Sequence, residues 1–159
     1  MQRPLCLAPI VALLVFLVFA IGAYGQEDPS SVVQRFQDAR NRGDVDATMA
    51  LVATDVSYVS GLACPPERPC IGTDAVRRDV QLFISDGAYS SDIGNSDVSG
   101  TIVQVQLGTE SSVQSSVGVE RTLSDVTAEV RDGQISSWQS VSDVTDPQTA
   151  WWLDHQPDR

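Results

Sequence analysis

Lysine is absent from this chain: its ten basic residues are all arginine, set against 21 aspartate and glutamate for a formal charge of −11 at pH 7. A field of that sign repels nucleic-acid backbones and anionic lipid headgroups, so nucleic acid is excluded as an expected partner. Capture of a cationic ligand would need clustered carboxylates, and the acidic residues are instead scattered, as on a soluble surface. Histidine occurs once, as His155 in a polar C-terminal tail that should fray, where an imidazole has neither fixed orientation nor partner. With one histidine and no spare cysteine, a zinc or iron site lacks ligands, and no cofactor is expected. The GxSxG, P-loop and GxGxxG signatures are missing too, as are internal repeats and low-complexity blocks.

The one long apolar run lies at the start. Arg3 precedes the uncharged stretch Pro4 to Tyr24, and Ala23-Tyr24-Gly25 has the small-x-small form of a signal-peptidase site. Residues 1–25 therefore read as a signal peptide cut before Gln26, or as an N-terminal membrane anchor, since about 20 apolar residues span a bilayer. On either reading residues 26–159 form one exported domain, secreted, periplasmic or in the cell envelope, which meets a membrane only if the leader stays attached. Cys64 and Cys70, in CPPERPC, fall in a proline-stiffened loop of an exported chain, which points to a disulfide. Five intervening residues and no accompanying histidine argue against redox or metal chemistry. The chain-entropy model gives so small a ring about 2–2.5 kcal/mol.

Periodicity supplies the elements. Val32, Val33, Phe36 and Ala39 make an apolar stripe on a first helix; Gly43 ends it and Asp44 caps a second, with Ala47, Met49, Ala50, Leu51 and Val52 as its smaller apolar face. Asp55 to Val59 alternates as a half-buried strand. After the Gly61–Gly72 loop, Thr73 is expected to cap a third helix with Val76, Val80, Phe83 and Ile84 on one face. Beyond Ala88 strands dominate: Val103, Val105 and Leu107, a turn at Gly108-Thr109, a strand through Val113, Val117 and Val119, then Val126, Ala128 and Val130. Asp132-Gly133 marks a hairpin into Gln134 to Val141. A short helix is expected around Gln148 to Leu153.

The segments VVQRF…ARNRGDVDATMALVATDV and IGTDAVRRDV, with this order of elements, resemble the NTF2-like superfamily in its SnoaL-like form. The resemblance implies an α+β cone: a curved, mostly antiparallel sheet with three N-terminal helices packed in its concave face and a pocket open at one end. Members of that superfamily carry out isomerisation, cyclisation, dehydration or epoxide opening in the pocket, and many have no known reaction. Ketosteroid isomerases place an oxyanion-donating Tyr where this chain has Phe36, a proton-shuttling Asp at about Ser60, and a protonated Asp near Asp125 or Val126. With at least two of the three roles vacant, that reaction is not expected. Epoxide-opening relatives use an Asp-Arg-Asp set for which Arg121 and Asp125 are the nearest substitutes.

Phe36, Tyr58, Ser60, Phe83 and Trp138 are expected to line the pocket. Trp138 breaks the alternation of its strand, so a bulge is required if Ile135, Trp138 and Val141 all face inward. Trp151 and Trp152 are adjacent on a helix and cannot share one face; at least one ring should be exposed. The leading expectation is an exported domain that binds a small, mostly apolar ligand in a hollow with few charges, or that dimerises with a second copy through the outer face of the sheet. The rival is a SnoaL-like enzyme with Asp55, Asp79 or Asp125 as a buried general base. An envelope interaction module with its hollow filled by its own side chains is the third.

Overall fold

The computed structural model describes residues 27–60 and 64–156; the expected leader, residues 1–25, lies outside them. In chain order the elements are α1 (Pro29–Asn41), α2 (Val45–Ala50), β1 (Val52–Val59), β2 (Cys70–Ile71), α3 (Thr73–Ser85), β3 (Tyr89–Asp92), β4 (Asp97–Ser99), β5 (Ile102–Glu110), α4 (Ser112–Ser116), β6 (Thr122–Arg131), β7 (Gln134–Ser142) and α5 (Pro147–His155). The result is an α+β domain on one curved, open, mixed sheet in the order β2-β1-β7-β6-β5-β3, with β4 also paired to β5. The β1–β7 pair is parallel, and the other strand pairs run antiparallel. Among the described residues no helix is long and apolar enough to cross a membrane.

Local chemistry explains most boundaries. Pro29 opens α1 where its missing N–H is no loss. Gly43, at φ +74°, ends it, and the Asp44 carboxylate accepts from the Ala47 N–H at 2.9 Å to start α2. Asp132 and Gly133, both at positive φ, make the tight β6–β7 hairpin. Cys64 and Cys70 are disulfide-bonded, which ties the loop after β1 to β2.

Three expectations need correction. Thr73 is the first residue of α3 rather than its cap; Gly72 holds the cap position. Gly108 is no turn but sits inside β5, where a Cβ would fall 2.4 Å from Ile93 Cδ1, so close packing rather than chain reversal demands the glycine. The Val113–Val119 segment is not a strand. Ser111 Oγ accepts from the Gln114 N–H at 3.2 Å and caps the short helix α4, overriding the alternation of valines.

On the inner face of the sheet Val103, Val105 and Leu107 of β5, Val126, Ala128 and Val130 of β6, and Ile135 and Trp138 of β7 meet Val32 and Phe36 of α1 and Val76 and Val80 of α3. Each fully buried valine, leucine, isoleucine or phenylalanine side chain among them contributes about 1.5–3 kcal/mol. A bulge at β7 makes this possible: pairing passes from Glu129↔Ser137 to Val130↔Ile135, leaving Ser136 unpaired, with its Oγ donating to the Glu129 carbonyl. Ile135 and Trp138 thereby share the inner face. Val141 does not join them; opposite Asp125 and 52% exposed, it points outward because no second bulge reverses the alternation.

Candidate functional site

Where the apolar core stops, a cavity of about 160 Å³ begins. A void of that size, about 150 Å³, accepts a single six-membered ring. Its side chains arrive from several elements. Tyr58, two residues after inward-facing Val56, points in from β1, and Ser60 lies two residues further along the same face. Asp79 is three residues after Val76 and next to Val80, on the buried side of α3. Arg40 follows Phe36 by one turn of α1, so the apolar stripe carries a cation inward. The Ser136 bulge turns Trp138 into the wall. Trp152, Leu153 and Gln156 of the C-terminal segment complete one side.

These groups form a hydrogen-bonded chain. The Tyr58 hydroxyl donates to Asp79 Oδ2 at 2.6 Å, and the Ser60 hydroxyl donates to Asp79 Oδ1 at 2.8 Å. The carboxylate is 4% exposed. The Arg40 guanidinium is close enough for both Tyr58 and Asp79 to act on it electrostatically. Arg40 Nη2 donates to Ser90 Oγ at 2.7 Å, and the guanidinium lies 4.2 Å from the Phe83 ring centroid. Burial pulls the Arg40 pKa down, while the neighbouring Tyr58 and the Asp79 carboxylate oppose that fall. Burial first, and then the negative charge of Asp79, raises the Tyr58 phenol well above its ordinary value. Tyr58 is thus a fixed, protonated donor. A carboxylate has about four acceptor sites, so Asp79 keeps lone pairs beyond the two in use. A positioned carboxylate, a neutral phenol and a nearby cation together can take a proton from a ligand and stabilise the negative charge left behind.

Of the candidate residues, Tyr58, Ser60, Asp79, Phe83 and Trp138 lie on the wall of this cavity, while Phe36, Asp55 and Asp125 do not. Phe36 stands behind the wall, packed on Trp138 with ring centroids 5.0 Å apart. Asp55 is solvent-exposed on β1, at the solvent phase of the strand's alternation. Asp125 is exposed on the outer face of β6, where it accepts from Gln106 Nε2 at 3.1 Å rather than pairing with Arg121. The hollow also departs from the expected low charge: Arg40, Asp79 and Asp86 all line it, beside a shelf of serines and threonines. Arg40 was legible as a cation on an apolar stripe, at i+4 from Phe36. Gln114, also on the wall, had no signal because its segment reads as strand. Trp152 is buried and Trp151 is 41% exposed, which settles the tandem tryptophans. His155 is the last residue of α5, stacked on Trp151 with centroids 4.3 Å apart, and is not among the residues that line the cavity. Among the described residues no group of three His, Cys, Asp or Glu side chains is gathered to hold a metal ion.

A curved sheet wrapped on helices, with a polar cavity at the open end, is the NTF2-like fold, and this chain has it. Comparison by sequence finds no matching family model and no matching curated protein. Comparison by structure finds SalBIII, an epoxide hydrolase/cyclase-like enzyme of pyran ring formation in the polyether salinomycin, at TM-score 0.65 and 16% identity over 77% of this chain and 95% of that one. An LEH-like epoxide hydrolase from M. tuberculosis matches at TM-score 0.61 and 18% identity, over 79% and 92% of the two chains. An NTF2-like protein of unknown function from Cytophaga hutchinsonii matches at 0.58 and 13%, over 77% and 96%. At these identities the likeness establishes the fold.

Proposed function

We propose that the cavity is the active site of a small-molecule enzyme of the isomerase, cyclase or ring-opening type, with Asp79 as general base. The observation that supports this reading is a buried carboxylate aimed by two hydroxyls inside a ring-sized hollow. Asp79 takes a proton from the substrate or from a water beside it. Tyr58 and Ser60 hold the carboxylate in place, and Arg40 lowers the energy of negative charge developing nearby. Positioned general-base catalysis of this kind is worth about 10²–10⁴-fold in rate. The epoxide hydrolase and cyclase-like neighbours support ring opening or ring closure as the chemistry.

The second reading is a binding domain without turnover, favoured by the fact that both Asp79 oxygens already accept hydrogen bonds. In either case we place the protein in an oxidising, exported setting, which the Cys64–Cys70 disulfide supports. Ile102 and Val141, exposed on the outer sheet face, support a homodimer across it. To separate the readings, the purified protein is incubated with small cyclic epoxides and ketones and the products are followed by mass spectrometry. Turnover that falls at least about hundredfold in Asp79→Asn is the expected result. A ligand retained in native mass spectrometry, with no turnover of any member of the set, would favour the binder.

A further inference from the structure

The two hydroxyls that aim Asp79 come from the end of one strand. Tyr58 is the penultimate residue of β1, and Ser60 lies one residue beyond its last, Val59. Strand ends fray readily, so a donor there is fixed only if its backbone is held. On one side β7 holds Tyr58, paired with Trp138. On the other side the holding residues are the two cysteines. Cys70 of β2 is the register partner of Tyr58. Cys64 pairs with Ser60: the Ser60 N–H donates to the Cys64 carbonyl at 2.8 Å, and the Cys64 N–H donates to the Ser60 carbonyl at 3.0 Å. The disulfide therefore joins the backbone partner of one Asp79 donor to the backbone partner of the other. Cys64 is fully buried, in the same apolar cluster as Tyr58, Val76 and Val80, and is the anchored end. Cys70 belongs to a strand of two residues at the sheet edge, too short to hold its place by pairing alone.

Resting on the reading of Asp79 as the base, we infer that Cys64 and Cys70 are positioning residues of this site. Their disulfide keeps Tyr58 and Ser60 in register and, through those two hydroxyls, sets the direction of the Asp79 carboxylate. Neither cysteine is among the residues that line the cavity, so the effect passes through the hydroxyls and not through contact with a ligand. The site is complete only where this pair is oxidised. Opening the clamp takes two electrons and two protons from a dithiol such as dithiothreitol, which closes to its own disulfide and leaves Cys64 and Cys70 as thiols.

The test compares wild type with Cys64→Ala/Cys70→Ala, and with wild type reduced by dithiothreitol and then reoxidised. The reduced wild type, read directly after reduction of the folded protein, serves if the double variant does not fold. One readout is the proton NMR resonance of the Tyr58 hydroxyl, held from water by its bond to a buried carboxylate and assigned by its loss in Tyr58→Phe. The other is the rate at which cyclohexanone takes up deuterium at its α-carbons. With native circular dichroism, the proteins lacking the disulfide lose the resonance and exchange at least about tenfold more slowly, since a misplacement of about 1 Å costs up to about a hundredfold. Reoxidation restores both. Val103→Ala, which weakens the β5 core with the disulfide intact, keeps both. In a Ser60→Ala background, where one of the two routes is already cut, removing the disulfide slows exchange by a smaller factor than in wild type. A folded, disulfide-free protein that keeps the resonance and the rate overturns the inference, and so does an equal factor in the two backgrounds. The resonance reads the clamp without turnover. If it depends on the disulfide while wild type exchanges no deuterium, the general-base reading fails and the clamp stands; exchange lost in Asp79→Asn but untouched by removal of the disulfide does the reverse.

Discussion

The interior of this domain has two halves that are equally buried and chemically opposite. In the first, Val32, Val76, Val80, Val103, Ala128 and Val130 are each at most 2% exposed and fill the space between α1, α3 and the sheet. In the second, Arg40, Asp79 and Gln114 are 4–7% exposed around a hollow of about 160 Å³. Depth alone therefore does not distinguish core from site; what differs is whether the side chains satisfy one another. The apolar half is complete in itself. The polar half is stabilised by a chain from Ser60 through Asp79 and Tyr58 to Arg40, yet still ends in two unpaired atoms.

Substitutions on the two sides of the boundary should diverge accordingly. Phe36→Ala removes the ring against which Trp138 rests and should reduce unfolding free energy by about 3–5 kcal/mol, read as a shift in urea midpoint. A loss below about 1 kcal/mol would mean that the apolar half is not the main support of the fold. Tyr58→Phe deletes one donor to a buried carboxylate and should cost about 1–3 kcal/mol, with a far larger proportional effect on turnover. Its pH signature is specific. The folded state holds the Tyr58 proton above the pH at which the unfolded chain releases it, so this contribution is intact below about pH 10 and is lost as pH rises beyond that. The lowered Arg40 pKa acts with the opposite sign, within the more alkaline range of arginine. Tyr58→Phe should therefore flatten the alkaline fall in stability, and in wild type the Tyr58 phenolate absorbance should emerge only with unfolding. Smallest of all, Asp125→Asn on the outer face should change stability by less than about 0.5 kcal/mol and leave turnover unaltered.

The sequence revealed the elements that announce themselves by period and punctuation. The α1 stripe, the Gly43-Asp44 break, the Asp132-Gly133 hairpin and the bulge beside Trp138 all follow from local residue chemistry. Where two local signals competed, reading by pattern failed. Valine alternation at 113–119 lost to the Ser111 cap, and Gly108 looked like a turn because its close neighbour, Ile93, is distant in sequence. The site was half legible for the same reason. Tyr58, Ser60 and Asp79 lay on faces that periodicity could assign, but their hydrogen bonds join positions about twenty residues apart. Ser60, one residue past β1, meets the carboxylate of Asp79 on the neighbouring helix α3. Only the packing of α3 against β1 brings that about.

The comparison of Asp79 with Asp125 tests the account at its centre, since both are aspartates, one buried on α3 beside the cavity and the other exposed on the outer face of β6. Cyclohexanone in D2O, followed by proton NMR, reports the rate at which its α-hydrogens are exchanged for deuterium. Wild type and Asp125→Asn should exchange them at the same rate, and Asp79→Asn at least about a hundredfold more slowly. A folded Asp79→Asn protein that exchanges at the wild-type rate would show that the buried carboxylate is structural and that the hollow performs no proton transfer.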